Sequence, residues 1–119
     1  MTIEKDFYHR ILADPPAQLL MDGDAVYVGV SGIYKAARIA GDMGLLILGL
    51  DGLRADGGHL YLMIDFIVDM SASDDDRPWS VKVHAAVEAL RGIEDEWKDG
   101  PDFVEFVFLA EDQDPWEYR

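Results

Sequence analysis

One stretch of this chain, Leu45 to Val68, restricts its fold more than any other. Leu45 to Leu50 is a nearly continuous apolar run, the pattern of a strand covered on both faces or lying in the middle of a sheet. His59 to Val68 is a second run dense in β-forming residues. Between them, Ala55, Asp56, Gly57 and Gly58 supply the positive φ angles of a tight hairpin loop. Runs joined in this way pair antiparallel, so the chain is committed to a sheet with Leu45 to Leu50 at its middle.

The remaining elements are read around that hairpin. Ile3, Phe7 and Ile11 recur at steps of four, an apolar stripe on a helix that Pro15 and Pro16 stop. After the turn-prone Asp22, Gly23 and Asp24, the stretch Ala25 to Val30 reads as a short strand. Ser31 suits an N-cap, and Ile33, Ala36, Ala37, Ala40 and Met43 keep helical spacing until Gly44, a residue placed for a left-handed C-cap. Met70 to Pro78 is a polar loop, and Pro78 or Trp79 opens the next helix. Val83, Ala86, Val87, Leu90, Ile93 and Trp97 extend that helix over four turns, with Trp97 in the core, and Gly100 and Pro101 end it. Phe103 to Leu109 is the final strand. The order α-β-α-β-β-α-β predicts a single small α+β domain, mainly antiparallel sheet with helices packed on one face. Residues 110–119 form an acidic tail that either docks on the body or stays mobile.

Charge decides which partners such a domain accepts. The 119 residues carry a net charge of −14, which repels phosphate backbones and argues against direct binding of nucleic acid. Half the residues are hydrophobic, enough for a core despite that charge. There is no cysteine, which removes disulfides and thiolate metal sites and suits a reducing compartment. The first ten residues are too charged for a secretory leader, and no apolar run approaches the length that spans a bilayer. The expected location is the cytoplasm.

Motifs for catalysis are sparse. His9, His59 and His84 are scattered, with no zinc-binding spacing. Gly29 and Ser31 resemble half of a nucleophile elbow, but Ile33 occupies the place of its second glycine. Asp22 with Asp24, and Asp74 to Asp76, offer oxygen ligands without continuing into a calcium-binding loop. No cofactor, metal or catalytic residue is expected. The alternative of a small-molecule enzyme would rest on Asp65, which lies between Ile64 and Phe66, together with His59 or His84; strand alternation alone would instead point Asp65 at solvent or at an arginine.

The acidity is lopsided. Residues 1–59 carry eight acids and five bases, whereas residues 60–119 carry sixteen acids and five bases. Such self-repulsion costs stability, and its return is either solubility or a basic partner. Large amphipathic rings stand among these acids, which fits a contact face for a partner's lysines and arginines. Asp69, Asp74, Asp75, Asp76 and Trp79 form one candidate face, and Glu111, Asp112, Asp114 and Trp116 a second. Trp79 either anchors a partner or packs on the sheet at the start of the long helix. A DNA-mimicking decoy of a DNA-binding protein is the other reading of the same acidity.

An Ala-rich helix running from Ile33 into a Gly-punctuated strand ending near Leu53, a hairpin into Tyr61 to Asp69, Trp79 before a long helix, and the strand Phe103 to Leu109 follow one another in order. This layout, over about residues 30 to 109, resembles bacterial immunity proteins of polymorphic-toxin systems, and the immunity protein 40 family in particular. The resemblance implies a cytosolic protein that binds a cognate toxin domain and blocks it without turning anything over. A basic, nuclease-type toxin fits both the resemblance and the charge.

Overall fold

The expected hairpin forms. The computed structural model describes residues 3–70 and 76–111, and in it β3 (Leu46–Asp56) and β4 (His59–Asp69) pair antiparallel with Asp56 opposite His59. Gly57 and Gly58 have φ of +58° and +82°, the two left-handed residues that make a two-residue turn match the strand twist. Before the hairpin come α1 (Ile3–Ala13), β1 (Leu19–Asp22), β2 (Ala25–Gly29) and α2 (Ile33–Asp42); after it come α3 (Trp79–Ala89), α4 (Ile93–Glu96) and β5 (Phe103–Leu109).

The five strands form one antiparallel sheet in the order β1-β2-β5-β3-β4. β3 is therefore an inner strand, but the middle position belongs to β5, which inserts between the two hairpins. Strand β1 is an addition to the expected elements. Its four residues fold back on β2 across Gly23 and Asp24, a turn in which Gly23 takes φ of +61°.

The helices cover one face. Val26, Val28, Ile47, Leu50, Val104 and Phe106 project from the sheet into a core shared with Phe7, Ile11, Ile33, Ala37, Ala40, Val87 and Leu90. Phe7 meets Phe106 and Phe108 edge-on, at 6.2 and 4.8 Å between ring centres, which seats α1 on the middle strand.

Two local expectations need correction. The long helix is two pieces: α3 ends at Ala89 with Leu90 as its C-cap, and Gly92, with φ of +87°, turns the chain before α4 begins. The six apolar residues that suggested one helix are all buried nonetheless, because the break keeps Ile93 and Trp97 on the core side. Ser31 does not cap α2. It lies in a single 3-10 turn, Val30–Gly32, and the helix N-terminus is served from a distance by Glu94, whose Oε1 accepts the Tyr34 N–H at 2.7 Å. Gly44 ends α2 as expected, with the Leu45 and Gly44 amides donating back to Ala40 and Gly41 in a Schellman arrangement.

Candidate functional site: the open face of the sheet

Strand alternation gives the sheet a second face, and among the described residues no helix covers it. Register carries one row straight across that face. Leu20 pairs with Tyr27, Asp51 pairs with both Glu105 and Ile67, and Tyr27 stands one residue from the Val28–Val104 pair that brings Glu105 alongside it. Val107, Ile67 and Leu62 are exposed around this row, and Leu53 is half-buried beside it. Asp69 lies on the same face, opposite Gly49.

The centre of the row is a like-charge pair. Asp51 and Glu105 face each other across adjacent strands, a geometry that brings Cβ atoms within about 5 Å. Burial, and then the Asp51 charge, push the Glu105 carboxyl above its ordinary value. Burial also pushes the Tyr27 phenol up, with the Glu105 and Asp22 charges adding to it. Identical charges directly opposite destabilise a sheet, so the fold carries a cost here that an amide pair would remove. Two carboxylates set abreast in a partly apolar surface are a receptor for a lysine or arginine.

The residues expected from sequence are distributed differently. Asp69 belongs to this face. Asp76 and Glu111 are exposed elsewhere, and Asp74, Asp75, Asp112, Asp114 and Trp116 lie outside the described residues. Trp79 is half-buried and already occupied: its indole N–H donates to the Gly44 carbonyl at 2.9 Å, clasping the start of α3 to the turn after α2. The Lys82 ammonium stands 5.4 Å from the same ring. Several acids of the C-terminal half are engaged within the fold. Glu94 caps α2, Asp102 accepts the Ala55 N–H at 2.9 Å, and Glu88 and Asp95 pair with Arg91 and Lys98. Asp51, from the less acidic half, supplies the charge that sequence reasoning missed. Glu105 was the available signal, a lone carboxylate inside an aromatic strand.

A second concavity, a groove of about 600 Å³ between α2 and α3, is lined by Tyr34, Arg38, Trp79, His84, Glu88 and Arg91 among others. Three of its polar groups satisfy one another. Tyr34 Oη donates to Glu88 Oε1 at 3.1 Å, Arg91 Nε donates to Glu88 Oε2 at 3.0 Å, and the guanidinium lies 5.5 Å from the Tyr34 ring. Hydrogen bonds from Arg91 and then Tyr34 hold the Glu88 carboxyl below its ordinary value. Asp65 and the histidines are not assembled into a site. Asp65 is exposed on β4, six residues from His59, and it does not line the groove that His84 enters. Among the described residues no three histidine or carboxylate side chains gather to hold a metal, and no helix is long and apolar enough to cross a membrane.

No protein-family model, curated protein or solved structure matches the chain. The likeness to immunity proteins therefore rests on the layout of residues 30 to 109 alone.

Proposed function

We propose that this protein captures a cationic protein in the cytosol and neutralises it by covering its working surface, as an immunity protein covers a nuclease-type toxin. The observation that carries this reading is the Asp51–Glu105 pair: two carboxylates held side by side on an uncovered, partly apolar sheet face, at a cost to the fold. A cation seated between them relieves their repulsion, so partner binding recovers what folding lost. The apolar neighbours Val107 and Ile67 supply contact area that charge alone does not, since exposed ion pairs contribute only about 0.2–1 kcal/mol each. The surrounding charge of −14 steers a basic partner inward, with association approaching about 10⁸ M⁻¹s⁻¹ at low salt.

The test searches the neighbouring genes for a small basic domain and measures its association with this protein. Association with that domain is expected to be fast at low salt and to slow steeply as salt rises. Absence of binding, or a rate indifferent to salt, overturns the reading. Lysine in place of Asp74, Asp75 and Asp76 is expected to weaken binding in a salt-dependent way while the fold persists; unchanged low-salt binding would remove that loop from the contact face.

A further inference from the structure

The groove between α2 and α3 has a level that its neighbours leave open. Tyr34, near the start of α2, meets Glu88, near the end of α3, and the Gly44 carbonyl just beyond α2 meets Trp79 at the start of α3. The two helices therefore run antiparallel. Tyr34, Arg38 and Asp42 follow at steps of four on α2, Ser80, His84 and Glu88 do the same on α3, and all six line the groove. One turn inward from the Tyr34–Glu88 contact, Arg38 comes level with His84. A Cβ at Gly41 would stand 2.8 Å from a Val87 methyl, so glycine lets the helices touch there and closes a floor shared with Val83 and Val87.

At the Tyr34 end, Glu88 accepts from Tyr34 and Arg91, and at the other end the Trp79 indole N–H is held by Gly44. The middle is different. Arg38 and His84 are exposed and make no hydrogen bond or ion pair among the described residues; His84 acts only as a charge on Glu88, one turn along its own helix. A guanidinium only donates, and so does a protonated imidazole, so the two cannot satisfy each other, whereas an oxyanion between them accepts from both. Asp42 stands one turn from Arg38 toward the Trp79 end and repels an anion from that end. A cation-lined level is also out of character for a chain with 24 acids and only 10 lysines and arginines.

We propose that the groove binds a small organic anion, its carboxylate or phosphate between Arg38 and His84 and its apolar body on Val83, Val87 and the Trp79 ring. The volume of about 600 Å³ suits such a ligand, since small-molecule sites span roughly 300–1,000 Å³. The hydrogen bond to Gly44 fixes the Trp79 wall before any ligand arrives. The net charge of −14 disfavours anions at long range, so selection comes from the two groups inside the groove and needs the apolar body as well. The site lies among the helices, away from the open face of the sheet, and is independent of the capture of a cationic partner.

Phenyl phosphate, benzoate, benzyl alcohol and inorganic phosphate are the probes, titrated into isotopically labelled protein while amide chemical shifts are followed. The expected result is saturable movement of α2 and α3 amides around Arg38 and His84 with phenyl phosphate or benzoate, and binding at least about tenfold weaker for benzyl alcohol and for inorganic phosphate. The tighter of the two aryl anions identifies the oxyanion. Arg38→Gln is expected to weaken that anion about tenfold, the value of one hydrogen bond between charged groups near a surface, and His84→Gln about threefold. Both side chains are exposed, so the melting temperature of each variant should match wild type.

If benzyl alcohol binds as well as the aryl anions, the groove is an apolar trough and the anion is wrong. If inorganic phosphate binds as well as phenyl phosphate, the contact is an adventitious ion only and the organic ligand is wrong. Binding that moves other amides, or that survives both Arg38→Gln and His84→Gln, places the anion elsewhere and overturns the site. So does the absence of any binding up to about 10 mM.

Discussion

The two faces of the sheet are built from alternate residues of the same strands and follow opposite rules. On the covered face, Val28, Leu50, Val104 and Phe106 are apolar and almost wholly buried, and each neighbour supports the next. On the open face, one residue along each strand, Tyr27, Asp51 and Glu105 form a half-buried row whose two central members repel each other. Packing explains the first face completely and the second not at all. Residues that burden the fold while sitting at the centre of an accessible surface are where a binding function is sought.

Substitutions at adjacent positions sharpen this contrast. Phe106→Ala removes a ring packed against Phe7 and Phe108 and is expected to cost about 3–5 kcal/mol in urea unfolding. Val107→Ala, one residue on and exposed, should stay within about 0.5 kcal/mol of wild type. Equal losses at both positions would mean that the open face is a second core. Trp79→Phe keeps an aromatic ring, though a smaller one, and deletes the hydrogen bond to Gly44, for an expected loss of at least about 1 kcal/mol.

The smallest effect carries the opposite sign. Glu105→Gln should stabilise the protein at neutral pH by roughly 0.2–1 kcal/mol, toward the lower end because the group is only half-buried and solvent screens it. The sign follows from linkage. The folded protein holds the Glu105 proton more tightly than the unfolded chain does, so its ionisation penalises the fold above the raised value and ceases to do so below the ordinary glutamate value of 4.5. Melting curves of the two proteins should converge as pH falls through that window. A variant less stable than wild type at neutral pH would show that Glu105 supports the fold.

Much of the architecture was legible because it is local. Gly57 and Gly58 announce the hairpin, Pro15 and Pro16 bound α1, and Gly44 closes α2. Strand β1 was obscured because its four residues run directly into an Asp-Gly turn. The break at Gly92 was hidden by an apolar spacing that continues through it, since the core requires the same residues whether the helix is whole or bent. Long-range facts left no local trace. Glu94 caps α2 from 60 residues away, and Asp51 meets Glu105 only because β5 inserts between β2 and β3. Of the anticipated contact residues Asp69 reaches the open face, whereas Trp79 had a structural partner that composition could not disclose.

The most direct measurement joins stability to recognition in one protein, the double variant Asp51→Asn with Glu105→Gln. Its melting temperature and its affinity for a basic partner domain identified from the neighbouring genes are determined beside those of wild type. The account predicts a melting temperature equal to or above that of wild type together with clearly weakened, less salt-sensitive binding. A lowered melting temperature with undiminished affinity would contradict it, showing that the two carboxylates serve the fold and that the partner is held elsewhere.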